Sequence, residues 1–387
     1  MRYATNIKFN TNYPTVDELI KKARRRIPSF AFEYLDGGCN EEVNKAKNTI
    51  AIQEIELSPR YLRKFTAADL STEILGIPYK APFGVAPLGL QGLIWPNASE
   101  ILAKAAFENQ IPFVLSTVAT SSIERISEIT EGKAWFQLYH PADSRIRDDL
   151  ISRAEQAGCP VLVLLCDTPS YGFRPREIKV GLSMPPKMNP RNIVQILGRP
   201  NWALRTLQTG IPNFANLEPY MPKKLNLSRL AAFMNEVFDK RMNYDKIAAI
   251  RDRWKGKLIL KGVANEEDAE MAMQLGLDGI VVSNHGGRQL DAGEASVKSL
   301  KRLVENYGSK TTLMVDSGLR SGPDIARVMA AGAQFTFFGR AFMYSVAALG
   351  AAGGEHMIGL LEAQLKQTME QLGCERIEDF PAHLITE

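Results

Sequence analysis

Short apolar, β-branched runs alternate along most of the chain with stretches whose apolar positions recur every three to four residues. Eight such runs occur, at 83–87, 113–116, 134–139, 161–166, 258–261, 279–283, 312–315 and 335–338. Runs this short, bounded by Gly or Pro, predict buried parallel strands. The stretches at 98–109, 144–157, 244–254, 266–275 and 295–307 predict helices between them. Asn265, followed by Glu266, Glu267 and Asp268, is a helix start: a capping side chain, then acidic residues in the positive first turn. Eight strand–helix units predict an α/β fold, a (β/α)8 TIM barrel, rather than an open doubly wound sheet.

Two regions fall outside the alternation. Residues 1–80 predict a helical N-terminal extension, with the first helix starting at Tyr13-Pro14-Thr15. Residues 168–235 are rich in Pro, Asn and Arg without strong periodicity, which predicts a long lid or binding loop after the fourth strand. The expected organisation is one domain over 1–387: extension 1–80, barrel 81–355, lid insertion 168–235 and C-terminal helix 356–387.

Composition changes this picture little. Of 387 residues 45% are hydrophobic and 23% charged, as in a soluble globular protein. A net charge of +4 is too small to argue for nucleic acid. The basic run at 21–26 reads as the solvated end of an amphipathic helix. Cys39, Cys159, Cys166 and Cys374 form no C-x-x-C pair, and the four histidines are scattered, so no metal site is expected. Such cysteine usage fits a reducing cytoplasm. The opening MRYATNIKFN lacks the apolar core of a signal peptide, and no stretch approaches a membrane span.

In a TIM barrel the chemistry gathers at the carboxyl ends of the strands. Those ends read Ala86-Pro87-Leu88-Gly89, Ser116-Thr117, Gln137 with Tyr139, Asp167-Thr168-Pro169, Lys261-Gly262, Ser283 to Arg288, Asp316-Ser317-Gly318 and Gly339-Arg340. The last two, with Arg320, predict a phosphate site of backbone N–H groups and guanidinium groups, where such barrels commonly bind phosphate. His285 stands at a strand end without an apolar periodic context, so a general base is expected, since imidazole titrates near neutrality. Arg288 suits a bidentate carboxylate clamp. Asp167 is placed to pair with the imidazolium. Lys261 reads equally as a Schiff-base lysine or a fixed positive charge.

These residues make the chain resemble the FMN-dependent 2-hydroxy acid oxidase and dehydrogenase family. The string SNHGGRQLD at 283–291 is that family's signature. FEYLDGG at 32–38, LSTVATSS at 115–122, FQLY at 136–139, DTP at 167–169, LKGV at 260–263, DSGLRSG at 316–322 and FFGR at 337–340 extend the likeness over nearly the whole chain. The resemblance implies FMN on the carboxyl rim and oxidation of a small L-2-hydroxy acid, L-lactate or similar, to the 2-oxo acid. It implies His285 as base with Asp167 as its partner, and Tyr139 on the substrate hydroxyl. Arg174, Arg288 and Tyr34 would hold the substrate carboxylate. Lys261 would sit at the N1–O2 edge of the flavin. Ser116, Gln137, Ser283 and the backbone of Ala86, Pro87 and Gly89 would contact the ring. Asp316 would bind the ribityl chain, and Gly318, Arg320, Gly339 and Arg340 the phosphate.

Three positions depart from the oxidase pattern. Leu165 replaces a flavin-contacting Thr, Val118 replaces an aromatic residue, and Gly89 replaces Ala. The last two tilt the reading toward a dehydrogenase. The acceptor expected by resemblance is a quinone, a cytochrome or dioxygen. The resemblance also implies a homo-tetramer, cytoplasmic and peripheral to the inner face of a membrane that residues 168–235 would meet.

Overall fold

In the computed structural model all eight apolar runs are strands of one sheet. The description covers residues 9–181, 190–221, 233, 236–239 and 241–385; the rest of the segment at 168–235 lies outside it. Two short strands come first, β1 (Thr72–Ile74) and β2 (Ile77–Tyr79). The barrel strands follow as β3 (Phe83–Val85), β4 (Val114–Ser116), β5 (Trp135–Leu138), β6 (Val161–Leu165), β7 (Lys257–Val263), β8 (Gly279–Val282), β9 (Thr312–Val315) and β10 (Phe335–Phe338). They pair in parallel in the order β3-β10-β9-β8-β7-β6-β5-β4. A parallel bridge from Val85 to Phe113 closes the ring between β3 and β4. A closed ring leaves no open edge.

Alternate strand residues point inward. Trp135, Val161, Val163, Ile259, Val281, Met314, Phe335 and Phe337 fill the barrel. Each such side chain stabilises by roughly 1.5–3 kcal/mol relative to exposure. The predicted helices form at Ala98–Glu108, Ser144–Gln156, Tyr244–Arg253, Glu266–Gln274 and Ser296–Tyr307. Asn265 caps the fourth of these by accepting from Asp268 N at 2.9 Å.

The region before the barrel differs from a purely helical extension. Helices Val16–Arg26, Ser29–Asp36 and Val43–Gln53 are joined by the antiparallel β1–β2 hairpin. Leu75 and Gly76, both at positive φ, make its turn. Tyr79 of the hairpin packs against the barrel core: its hydroxyl accepts from Trp135 Nε1 at 3.0 Å, and its ring packs on Phe335. The hairpin thus plugs the end of the barrel away from the catalytic rim. The basic run is only partly solvated, because Arg24 lies 4.5 Å over the Phe32 ring and Arg26 4.1 Å over Trp95.

The segment after β6 is not a structureless loop. It forms helices at Pro175–Lys179, Pro190–Leu197 and Pro200–Thr209 and a 3-10 turn at Glu218–Tyr220. Each begins with or near a proline, whose fixed φ suits the first helical turn. Gly198 and Pro200 break the two longer helices apart, which hid their periodicity in the sequence. Toward the C-terminus, helix Gly353–Leu372 is followed by a 3-10 turn, Ile377–His383.

Candidate active site

The loop after β8 is built to present His285. Three consecutive residues, His285, Gly286 and Gly287, are left-handed at φ 58, 67 and 71°. A Cβ at Gly287 would come within 2.4 Å of Lys45 N, so only glycine allows the loop to pack there. His285 has a Cβ, and its left-handed backbone costs about 1–3 kcal/mol. Side chains hold the strained turn. Ser317 Oγ accepts from Gly286 N at 2.9 Å, Ser283 Oγ accepts from His285 N at 3.1 Å, and Asn284 exchanges amide hydrogen bonds with Asn48 at 2.7 and 2.8 Å.

His285 Nδ1 lies 3.0 Å from Asp167 Oδ1, which fixes Nδ1 as the protonated nitrogen and leaves Nε2 as the free base. Burial is the largest influence on His285 and lowers its pKa below the usual 6.5, with Asp167 opposing. Burial would raise Asp167, but His285 and Lys261 outweigh it and keep the carboxylate charged.

Lys261, whose charge favours the ionised Asp167 carboxylate, sits at a bulge in β7. The pairing register with β8 shifts between Lys261 and Val263. Gly262, at φ 103°, makes the shift, and a Cβ there would stand 2.6 Å from Asp167 Cβ. Lys261 Nζ lies 3.0 Å from Asp316 Oδ2 and donates to Ser283 Oγ at 2.8 Å. Burial acts on Lys261 most strongly and downward, but Asp316 and Asp167 raise its pKa overall. A lysine held charged is a poor Schiff-base nucleophile, so the fixed-charge alternative stands. Asp316 and Ser283 thus serve Lys261 directly, a contact that the ribityl and ring assignments did not anticipate.

The two arginines converge on one acid. Arg288 donates through Nη1 to the carbonyls of Tyr34 and Gly37, both at 2.8 Å, and through Nη2 to Glu177 Oε1 at 2.9 Å. A guanidinium has five N–H donors. Those left on Arg288 are Nε–H and one Nη2–H, the side-on pair that matches a carboxylate. Arg174 donates to the same Glu177 oxygen at 3.4 Å and to Gln289 Oε1 at 3.2 Å, while its buried Nε has no partner. Tyr34 lies beneath Arg288, 5.1 Å from its guanidinium, with its hydroxyl 3.4 Å from Gly89 O. Burial raises the pKa of both Tyr34 and Tyr139, so each stays a hydrogen-bond donor.

A cavity of about 560 Å³ connects these groups. Tyr34, Ala86, Pro87, Gly89, Tyr139, Arg174, Lys261, His285, Arg288, Asp316, Gly318, Arg320, Gly339 and Arg340 line it. Asp167, Ser116, Gln137 and Ser283 stand outside its lining. At the far end, Gly339 opens the helix Arg340–Leu349 with no side-chain cap, which leaves N–H groups for an anion. Arg340 is tied to the carbonyls of Leu35, Gly286 and Gly37, and burial lowers its pKa to about 10. Gly318 is required for a reason other than phosphate approach: a Cβ would stand 2.7 Å from the Asn48 backbone. Gln137 Oε1 accepts from Ser116 at 2.7 Å, and its buried Nε2 is unpartnered. An orphan amide donor and an uncapped helix start fit the ring and phosphate of FMN.

Glu177, Gln289 and Asn48 were not singled out in the sequence, and Ser317, read there as part of the phosphate loop, also accepts from Gly286 N. Glu177 alone left a signal, three residues after Arg174 in a helix begun by Pro175.

A sequence profile of the FMN-dependent dehydrogenase family matches residues 23–387. L-lactate dehydrogenase of Vibrio parahaemolyticus is 36% identical over 359 residues, 92% of this chain and 94% of that one. L-lactate dehydrogenase of Ectopseudomonas mendocina is 35% identical over 365 residues, covering 94% and 96%. Among solved structures, the monotopic membrane protein (S)-mandelate dehydrogenase superposes with a TM-score of 0.92 at 32% identity, covering 97% of this chain and 100% of that one. A mandelate oxidase superposes at 0.83 with 30% identity, covering 97% and 98%. The chain therefore belongs to the FMN-dependent 2-hydroxy acid oxidase and dehydrogenase family.

Proposed function

We propose that this enzyme oxidises a small L-2-hydroxy acid such as L-lactate at FMN and passes the electrons to an acceptor other than dioxygen. The observation that carries the reading is the His285–Asp167 contact at 3.0 Å, with His285 lining the same cavity as Arg174 and Arg288. Bound FMN supplies the two-electron acceptor. Arg174 and Arg288 hold the substrate carboxylate, and the Tyr34 hydroxyl supports it. The Tyr139 hydroxyl donates to the substrate hydroxyl oxygen. His285 Nε2 takes a proton, and Asp167 stabilises the imidazolium. The same proton transfer serves a carbanion route and a hydride route. Lys261 places a fixed positive charge where the cofactor gains negative charge.

The dehydrogenase reading rests on Gly89 and Val118 together. A Cβ at Gly89 would meet Val118 Cγ2 at 2.8 Å, so the two departures shape one wall. Anaerobic mixing of the yellow protein with L-lactate, glycolate and L-mandelate tests both halves. L-lactate is expected to bleach the flavin, and air to reoxidise it slowly. No bleaching by any acid sinks the enzyme reading; fast reoxidation makes the protein an oxidase.

A peripheral membrane contact is part of the proposal, on altered grounds. Two large apolar residues of the 168–235 segment, Trp202 and Phe214, are buried, the former donating to the carbonyls of Leu93 and Ile94. The exposed row is instead Val194, Leu197, Leu204, Leu207 and Ile211, with Leu207 and Ile211 each 80% exposed. Residues 190–211 hold Arg191, Arg199 and Arg205 and no acid. Apolar side chains beside unopposed arginines suit an anionic lipid surface. No helix among the described residues is long and apolar enough to cross a membrane. The protein is expected to float with anionic lipid vesicles, and Leu197→Glu with Leu207→Glu to abolish flotation. Equal flotation of that double variant would refute the contact.

A further inference from the structure

Helix Pro175–Lys179 carries Glu177 and, at its N-cap, Arg174, yet none of its five residues is buried. Apolar packing therefore does not fix it; the first buried side chain is Val180, just past its end. Arg174 and Glu177 do not fix it between themselves, because their 3.4 Å contact stays within the same turn. Just ahead of the helix, Asn40 N donates to Phe173 O at 2.8 Å. On the helix itself the tie to the body of the protein is Arg176, which stands outside the lining of the main cavity. Its Nε and Nη2 engage Glu33, and its Nη1 donates to Asp36 Oδ2 at 2.7 Å and to both Glu42 oxygens at 3.3 Å. A planar guanidinium can hold several carboxylates at once, which an ammonium cannot do as well. The four side chains are 17–27% exposed, so salt screens them only in part.

The acids are themselves fixed. Lys45 Nζ lies 3.0 Å from Glu42 and 3.4 Å from Asp36, and Tyr344 donates to Asp36 Oδ1 at 2.6 Å. Burial would raise the pKa of Asp36, but Tyr344, Lys45 and Arg176 outweigh it and keep the carboxylate charged. Glu33 and Asp36 belong to the last turn of helix Ser29–Asp36, the turn that also carries Tyr34. The carbonyls at that end serve Arg288 and Arg340. A helix C-terminus attracts cations. Three arginines from three loops thus meet on one turn: Arg288 from the substrate side, Arg340 from the phosphate side, and Arg176 from neither.

We propose that Arg176 is a positioning residue: it latches helix Pro175–Lys179 onto the turn that carries Tyr34, and so sets where Arg174 meets the substrate carboxylate. The inference rests on the assignment of Arg174 to that carboxylate.

Arg176→Met is expected to fold and to keep bound FMN, because Arg340 holds the phosphate end without this helix. The probes are L-lactate and oxalate, a dicarboxylate that needs the clamp but no turnover. KM for L-lactate and the dissociation constant of oxalate should each rise about tenfold, as for a clamp displaced by less than an ångström. The bleaching rate at saturating L-lactate should stay within about twofold, since binding and not proton transfer is impaired. A merely structural defect would lower flavin content and melting temperature without splitting KM from kcat. Glu33→Met, on the other side of the latch, separates tethering from net charge. A loosened latch raises both constants, whereas a long-range charge effect lowers them, because removing an acid favours an anionic ligand. Added to Arg176→Met, it should raise them no further, as for two halves of one contact. Unchanged constants in folded Arg176→Met, or unchanged or lowered ones in Glu33→Met, would overturn the proposal. If Arg176→Met fails to hold FMN, Glu33→Met decides alone. Arg174→Met tells the two readings apart: if it too leaves oxalate affinity unchanged, the carboxylate assignment fails, and if it alone weakens oxalate, the latch fails.

Discussion

Replacing His285 by alanine is expected to leave a yellow protein whose flavin an excess of L-lactate bleaches about 10²–10⁴-fold more slowly. The loss belongs to proton transfer, because the groups assigned to the cofactor and to the carboxylate stay in place. Arg174 and Arg288 are held by Glu177, Gln289 and backbone carbonyls, none of which touches the imidazole. The loop survives because Ser283, Asn284 and Ser317 grip its backbone rather than the ring. Asp167 loses a partner but keeps Lys261 as a nearby positive charge. Bound-flavin absorbance and oxalate affinity should therefore match the wild type. If oxalate affinity fell in step with the bleaching rate, His285 would be a binding residue instead. The wild-type pH profile carries the same signature. A base works unprotonated, so the rate falls as pH drops through its pKa. Burial lowers that pKa, which puts the acid limb of kcat/KM below the ordinary 6.5. An acid limb above 6.5 would mean that Asp167 dominates over burial.

How far the sequence spoke depended on how local each signal was. The eight barrel strands are buried on both faces, so they appear as unbroken apolar runs that need no partner to be seen. Their carboxyl ends then located His285, Asp167, Lys261 and Arg288 without reference to tertiary contacts. The β1–β2 hairpin was invisible because each strand has three residues, too few to show alternation. Glu177 and Gln289 are ordinary polar residues until folding brings residues 111 and 115 positions apart together, Glu177 to Arg288 and Gln289 to Arg174. Gly318 carries a demand that is not local: a Cβ there would stand 2.7 Å from the backbone of Asn48, on a helix read only as an extension.

Arg288→Met tests whether the arginine acts on substrate or merely on Glu177. The two side chains are nearly equally buried, 14% and 13% exposed. Truncating one member of a buried, hydrogen-bonded charge pair costs about 2–5 kcal/mol in binding, or roughly 30- to several-thousand-fold in kcat/KM. Stability should fall as well, because Glu177 keeps only the longer contact to Arg174 at 3.4 Å and the Tyr34 carbonyl loses its donor. About 1–3 kcal/mol is expected for groups left unsatisfied. The double variant Arg288→Met with Glu177→Met separates the two effects. Removing the stranded acid should restore much of the stability in urea melts, since a buried ion pair replaced whole is often neutral. It should restore none of the catalysis, because the side-on Nε and Nη2 donors remain absent. Recovery of kcat/KM in the double variant would show that Arg288 works only by neutralising Glu177. Arg288→Lys sharpens the distinction. A lysine retains the charge beside Glu177 but has no side-on pair, so stability should hold while KM for L-lactate stays raised.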